Sequence, residues 1–164
     1  MAKPAGNAQI TTAKEWLESV HSKSNDESMA DSLWNGGFFD AISLAGLRVA
    51  SVEQGRAAAT FRIPAHLTDA DGNWQPGPIA TAMDDVGAAA IMSLDGRIPI
   101  SVEFDISYFS PAKFDEEVEM AARVIERKGR LMAVMVEIRK KGSGELVAVG
   151  RQWMTFSRPL KSKI

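Results

Sequence analysis

The feature that most constrains the fold is one long apolar helix in the middle of the chain, predicted from about residue 77 to residue 94. It opens on Pro76-Gly77-Pro78 and is interrupted by two adjacent carboxylates, Asp84 and Asp85. A charge on a core helix is costly unless it is paired or used, because burial removes its water and raises the pKa of a carboxyl group. We therefore expect the chemistry of the chain on this helix.

The segments on both sides of this helix have the spacing of β-strands. Strands are predicted at 47–54 and 57–63 before the helix, and at 100–108, 117–126, 131–140 and 145–156 after it. Strict alternation over 100–108 predicts a half-buried strand. Short links at 128–130 and 142–144 predict antiparallel neighbours. This order fits one antiparallel sheet wrapped around one helix, an α+β arrangement.

The N-terminal part is predicted to be a mobile tail of about ten residues followed by a helix. Thr12-x-x-Glu15 has the form of a capping box, which predicts that this helix begins at Thr12. A second helical segment is predicted from about Ser28, interrupted near 35–37 and resumed at Phe38. We divide the chain into a tail and helix (1–27), one main domain (28–158) and a C-terminal tail (159–164).

Composition excludes several classes of function. The 164 residues, 45% of them hydrophobic, suit one domain with an ordinary core. No apolar run approaches the roughly 20 residues that cross a bilayer, and the N-terminus lacks the apolar segment of a secretory signal. A soluble, intracellular protein without a membrane partner is expected. With no cysteine and two distant histidines, the sequence predicts no disulfide, no thiol nucleophile and no metal site.

The net charge of -2 argues against nucleic acid as a partner, but charge is unevenly distributed. Residues 123–164 contain eleven Lys or Arg and three Glu. This excess is more typical of a solvated strand face than of a cradle for a polyanion such as a nucleotide phosphate. The positions of these residues in the sequence leave both interpretations open.

The two carboxylates must point in different directions, since successive helical residues are about 100° apart. The apolar stripe that packs on the sheet consists of Ile79, Met83, Val86 and Ala90, and neither Asp lies on it. Asp84 shares its face with small residues, which are Gly77, Ala80, Thr81, Gly87 and Ala88. Because another backbone can approach such a face closely, this pattern favours Asp84 as the enclosed group, with Asp85 nearer to Pro78 and Ala82.

The helix start supplies a complementary feature. Free N–H groups and the positive end of the helix dipole stabilise a carbonyl oxygen that gains negative charge, and Gly77 allows the closest approach. Gly77 and Asp84 are about 10 Å apart along the axis at about 1.5 Å per residue, too far to act on one carbonyl within one chain. Two subunits with antiparallel helices solve this problem, which predicts a shared active site and an obligate dimer.

Three motifs carry a resemblance to a known family. The segments GPIATAMDDVG, SVEFDISYFSPAK and GELVAVGRQW, in this order within about 30–157, resemble hotdog-fold acyl-CoA thioesterases of the acyl-CoA thioesterase 13, or phenylacetate-degradation-like, group. The resemblance implies a hotdog fold, a homodimer or a homotetramer built as a dimer of dimers, and hydrolysis of an acyl-CoA or aryl-CoA to free acid and CoA. It implies no cofactor, because coenzyme A enters as part of the substrate.

The family motif also assigns roles to individual residues. It reads His-Gly-Gly, then Ala-Thr, then an Asp nine places after the His, and Ala80-Thr81 sets the register. The resemblance thus implies Asp84 as general base or nucleophile, and Ser101 as the hydroxyl that orients water. The family histidine falls on Gln75. A register one residue later selects Asp85 but loses the Ala-Thr match.

This chain departs from the motif at the helix start. The first family glycine is Pro76, which has no N–H to donate, whereas Gly77 keeps its own and Gln75 offers an amide. Ser101 falls on the polar side of its strand, away from Val102 and Phe104, but its place at the start of the strand lets it reach a subunit boundary. The substrate-binding candidates are Asn73, as the nearest upstream Asn, together with Gln75, Pro76, Thr81, Asp85 and Tyr108.

These departures leave two other hypotheses. One is a hotdog protein without thioesterase activity that binds a thioester or small molecule, or uses Asp84 for proton transfer in cyclisation or isomerisation. The other is an assembly protein, for which Asp84 would be exposed or paired and no cleft would lie beside Gly77. The C-terminal Ser162-Lys163-Ile164 differs from the peroxisomal Ser-Lys-Leu address by an isomeric last residue, which predicts a peroxisomal location and otherwise a cytoplasmic one.

Overall fold

The computed structural model describes residues 6–22 and 38–156. One antiparallel six-stranded sheet, in the order β1-β2-β4-β5-β6-β3, carries the helices. The helices are α1 (Asn7–Ser22), α2 (Phe38–Leu44) and α3 (Pro76–Asp95), with a 3₁₀ turn at Ala65–Leu67. The strands are β1 (Arg48–Glu53), β2 (Arg56–Arg62), β3 (Ile100–Tyr108), β4 (Glu117–Lys128), β5 (Leu131–Lys140) and β6 (Leu146–Thr155). The predicted α+β order of two strands, a central helix and four strands is confirmed.

The central helix α3 is covered on two sides, which explains its apolar sequence. Pro76 occupies the first turn, where a missing N–H costs nothing, and Gly96 ends the helix in the left-handed region at φ 83°. One side packs closely on the sheet: a Cβ added to Gly87 would lie 3.2 Å from Val134 and 3.3 Å from Val136. Helices α1 and α2 contact the other side. The predicted bounds are correct to within one residue.

Helix α1 starts earlier than predicted. It begins at Asn7, and Thr12 is an interior residue whose Oγ1 donates to the carbonyl of Ala8 at 2.9 Å. The capping-box prediction is therefore wrong, because packing of Ala13, Leu17 and Val20 on the core stabilises a helix whose first turn is polar. Residues 7–10, predicted as part of a mobile tail, are helical.

Two predictions, one for the N-terminal part of the chain and one for its C-terminus, fall outside the residues that the structure describes. They are the helical segment beginning near Ser28, up to residue 37, and the tail that carries Ser162-Lys163-Ile164. The peroxisomal location therefore stays a prediction. Within residues 6–22 and 38–156, no helix has both the length and the apolar character needed to cross a membrane.

Strand β3 lies at the edge of the sheet and pairs with β6 alone. Its predicted half-burial is wrong for this chain, since Ile100, Val102 and Tyr108 are exposed and only Phe104 and Ile106 are partly buried. The pairing register shifts near its start: Ser101 faces Met154, whereas Glu103 faces Trp153. Val102 is thus the extra residue of a β-bulge, and strict alternation fails there.

Candidate active site

The side chains of Ser101 and Gln152, from two strands of the sheet, meet the side chain of Asp84 on helix α3. Ser101 on β3 donates its hydroxyl proton to Asp84 Oδ1 at 2.9 Å. Gln152 on β6 donates through Nε2 to the same carboxylate oxygen, and to Ser101 Oγ at 2.7 Å. In this triangle Asp84 only accepts hydrogen bonds, as an ionised carboxylate does. The structure therefore brings the two predicted residues, Asp84 and Ser101, into direct contact.

The bulge explains why Ser101 reaches the helix. Strict alternation from Phe104 would place residue 101 on the outer face of the sheet, as predicted from the sequence. The extra residue Val102 reverses this assignment, so Ser101 and Phe104 lie on the same, helix-facing side. The prediction that Ser101 lies on the polar side of its strand, away from Phe104, is wrong for this reason.

Sequence reasoning missed Gln152. It is the polar residue in the buried, inward register of β6, between Gly150 and Met154. The absence of a side chain at Gly150 lets the helix approach, since a Cβ there would lie 2.8 Å from Met83 Cε. A buried polar side chain needs a hydrogen-bond partner. A glutamine at an inward strand position, two residues after a glycine, is therefore the sequence pattern that could have identified Gln152.

Asp84 keeps one oxygen available for chemistry. Its side chain is only partly buried, and Oδ2 accepts no hydrogen bond from any residue that the structure describes. Oδ1 is fixed by two donors. Such a carboxylate is held in one orientation while its second oxygen can accept a proton from water or attack a carbonyl carbon.

Asp85, rather than Asp84, is the more enclosed carboxyl group, which corrects the prediction from the helix faces. Its exposed fraction is 7%, and its Oδ2 is buried without a hydrogen-bond partner in the described chain. Burial, then the nearby charges of Asp40 on α2 and of Asp84, raise the pKa of Asp85 to about 8. Burial therefore favours the neutral form of Asp85 at pH 7.

The helix start offers one free backbone donor. Pro76 and Pro78 lack an N–H, and the N–H of Ile79 donates to the carbonyl of Gln75 at 3.2 Å. Within the described residues, this leaves the Gly77 N–H as the unpaired donor of the first turn. No heavy atom beyond its chain neighbours and the helix backbone lies within 4 Å of the position that a Gly77 Cβ would take, so a ligand can approach.

Two predicted substrate-binding amides are already engaged in the loop before the helix. Gln75 Nε2 donates to the carbonyl of Thr68 at 2.9 Å. Asn73 Nδ2 donates to Asp69 Oδ2 at 3.1 Å, and the Asn73 backbone N–H donates to Asp69 Oδ1 at 2.8 Å. These contacts position the loop, and Gln75 does not direct its amide toward a free site as a replacement for the family histidine.

Tyr108 and Thr81 also hold the helix start. Tyr108 Oη donates to the carbonyl of Pro76 at 3.2 Å, and Thr81 Oγ1 donates to that of Gly77 at 3.2 Å. A groove of about 240 Å³ lies beside this point, lined among others by Trp74, Pro76, Ile79, Tyr108 and Phe109. A second cavity of about 470 Å³, between Arg48, Arg62 and Phe114, contains none of the predicted site residues.

Several cations of the basic C-terminal segment form ion pairs on the exposed strand surface. The distances are 2.6 Å for Arg139–Glu137, 2.8 Å for Lys140–Glu145 and 2.9 Å for Lys141–Glu117. This pairing favours the solvated-face interpretation for these three residues. Within the described ranges, no group of three or more His, Cys, Asp or Glu is placed to hold a metal ion.

The chain is similar to known thioesterases in sequence and in fold. The Thioesterase superfamily model matches residues 72–147. Human acyl-coenzyme A thioesterase 13 is 28% identical over 109 residues, 66% of this chain and 78% of that protein. Zebrafish thioesterase superfamily member 2 superimposes with a TM-score of 0.71 at 27% identity, over 86% of this chain and 98% of that one. A hypothetical thioesterase from Streptococcus pneumoniae, solved with coenzyme A, shares the fold at 16% identity and a TM-score of 0.67, over 79% and 96% of the two chains.

Proposed function

Because the chain has the hotdog fold of the thioesterase superfamily, we propose that it hydrolyses an acyl-CoA or aryl-CoA thioester to the free acid and coenzyme A. The observation that carries this proposal is the carboxylate of Asp84, fixed by Ser101 and Gln152 with Oδ2 unpaired. The sequence similarity to acyl-coenzyme A thioesterase 13 supports the same reaction class. Coenzyme A is then part of the substrate, and no separate cofactor is required.

In the proposed reaction, Asp84 Oδ2 removes a proton from water while the water oxygen attacks the thioester carbon. The Gly77 N–H donates to the carbonyl oxygen as it becomes negative. The C–S bond then breaks, the thiolate of CoA takes up the proton, and the free acid remains. In the direct variant, Oδ2 itself attacks and displaces the thiolate, and water hydrolyses the resulting anhydride.

This reaction requires two copies of the chain, and we infer a homodimer. Gly77 and Asp84 lie about 10 Å apart along one helix axis. The edge strand β3 presents unpaired backbone groups together with the exposed side chains of Ile100 and Val102, a surface that a second β3 can cover. A dimer of dimers would add a second contact and leave the shared site unchanged.

The activity test is CoA release from a panel of short, long and aromatic acyl-CoAs, followed with a thiol reagent. We expect steady turnover with at least one substrate. Release from none of them contradicts the proposal and favours the alternative of a thioester binder or a proton-transfer enzyme. That alternative draws support from Pro76, which lacks the N–H, and from Gln75, whose amide is bound to Thr68.

Restoring the second donor is expected to speed hydrolysis. Pro76→Gly adds an N–H beside that of Gly77, and such donors are worth about 10²–10³ in kcat in other acyl-transfer sites, so we expect a gain of about tenfold or more. Adding Gln75→His to this variant supplies the imidazole. The matched control is Pro78→Ala, which frees an N–H further along the helix. Equal kcat in wild type and Pro76→Gly would mean that Gly77 alone supplies the required donor.

Subunit complementation tests the shared site. Gly77→Pro removes the free N–H and Asp84→Asn removes the base, so each variant alone should be inactive, whereas Gly77→Ala keeps the N–H and serves as the control. Refolded together in equal amounts, the two variants form mixed dimers with one intact site, and about a quarter of wild-type activity should return. A mixture that stays inactive although mixed dimers form would place both groups of each site in one chain.

A further inference from the structure

Gln152 is oriented by its neighbours rather than by its own hydrogen-bonding needs. The residue is 1% exposed, and both Nε2 hydrogens are used, one on Asp84 and one on Ser101. Its other amide atom, Oε1, is buried without a hydrogen-bond partner in the described chain. That oxygen would lie 3.5 Å from a Cβ added to Gly87, so it faces the helix backbone and the apolar layer. The amide thus satisfies two acceptors and leaves its own acceptor unsatisfied.

This orientation of the amide stabilises the ionised form of Asp84 most strongly. If the amide were turned by 180°, Oε1 would face Asp84 Oδ1, and two acceptors would oppose each other unless Asp84 carried a proton. In the observed orientation the N–H meets an ionised oxygen, and such charge-assisted hydrogen bonds are about twice as strong as neutral ones. The amide orientation is therefore coupled to the charge on Asp84.

The same contact also determines the proton of Ser101. Since Ser101 Oγ accepts from Gln152, its own proton is directed to Asp84 Oδ1. In this arrangement the Ser101 hydroxyl serves as a donor that fixes Asp84 Oδ1. The free oxygen Oδ2 is then the reactive atom of the cluster.

We propose that Gln152 is a positioning residue for hydrolysis: its amide keeps Asp84 ionised, directs the Ser101 proton to Oδ1 and so leaves Oδ2 for water or the thioester. The role in turnover rests on the proposed function, whereas the effect on the charge of Asp84 does not. Beside Gly87, β5 contributes only the apolar side chains of Val134 and Val136 among the described residues. The acidic groups nearest the site are Asp85 and, from α2, Asp40. The exposed charges of Glu103, Asp105 and Arg151 belong to the outer face of the sheet.

The test replaces the amide by side chains of equal length. Gln152→Met removes both donors, and we expect the acid limb of the kcat/KM–pH profile to move up by about one pH unit, with about a tenfold loss of kcat/KM at pH values below the wild-type midpoint. Gln152→Glu places a second carboxyl group beside Asp84, so the limb should move further in the same direction. Ser93→Ala is the control, because Ser93 is also buried and hydrogen-bonded, to Gly55 and Ala90, but lies far along the helix from Asp84. It should lower stability and leave the acid limb in place.

A second readout keeps the inference independent of turnover. Aspartate labelled with ¹³C at the carboxyl carbon allows the titration midpoint of Asp84 to be followed by NMR, assigned with Asp84→Asn. A higher midpoint in Gln152→Met supports the role of Gln152 even when wild type releases no CoA. Absence of CoA release from wild type would reject the proposed function and leave the role of Gln152 to be judged by the midpoint. An unmoved midpoint overturns it, as does lost activity with an unmoved acid limb. Should Gln152→Met fail to fold, the same readouts are taken on Gln152→Leu and Gln152→Glu.

Discussion

Replacing Asp84 with asparagine is expected to lower kcat for acyl-CoA hydrolysis by about 10²–10⁴-fold, the usual contribution of a positioned general base. Asparagine has nearly the same shape, and its carbonyl oxygen can still accept from Ser101 and Gln152. It can neither remove a proton from water nor form an anhydride. KM should change little, since Asp84 contributes no apolar contact to an acyl chain. The measurement is CoA release under steady-state conditions, with the fold checked by thermal unfolding.

The matched control for this prediction is the neighbouring carboxyl group. Asp85→Asn changes the same functional group one residue away, on the side of the helix that faces α2, and should retain hydrolysis. Asp105→Asn, on the exposed face of β3, controls for the loss of one negative charge. If Asp85→Asn abolished activity and Asp84→Asn preserved it, the later register of the family motif would be the right one, and the roles assigned here would pass to Asp85.

Local patterns predicted the elements of this fold because their signals are contained in the segments themselves. Alternation identified the strands, and Pro76 and Gly96 mark the ends of α3. The faces of α3 were harder to assign. Its small residues predicted a face that a second subunit approaches closely, yet Gly87 packs on the sheet of the same chain. Which side of a helix is covered depends on how α1 and α2 pack, and no period within the helix contains that information.

The active site was only partly predictable for a related reason. Asp84 follows from the motif, but its contact with Ser101 requires the bulge at Val102, which exists only in the pairing of β3 with β6. Gln152 requires both the inward register of β6 and the close approach of the helix at Gly150. These are properties of strands brought together in three dimensions, so a single sequence predicts the proposed catalytic carboxylate better than the groups that contact it.

The second large effect concerns stability, and it comes from Asp85. Asp85→Asn is expected to raise the free energy of unfolding by an amount that grows with pH, reaching on the order of 5 kcal/mol at pH 8. In the unfolded chain this carboxyl group titrates near 3.8, whereas burial raises its pKa to about 8 in the folded state. Between these values the folded protein holds a proton that the unfolded chain has released. The stability that Asp85 gains from this proton is therefore fully present below pH 4 and is lost as the pH rises toward 8.

Asparagine removes this dependence, because it carries no titrating proton and is neutral in both states. Urea unfolding at pH 5, 6.5 and 8 should show wild type weakening with pH relative to Asp85→Asn, with the two proteins closest at pH 5. The exposed Asp105→Asn should follow wild type throughout. Parallel pH curves for wild type and Asp85→Asn would mean that Asp85 is ionised in the folded protein. The raised pKa assigned to Asp85 would then be wrong.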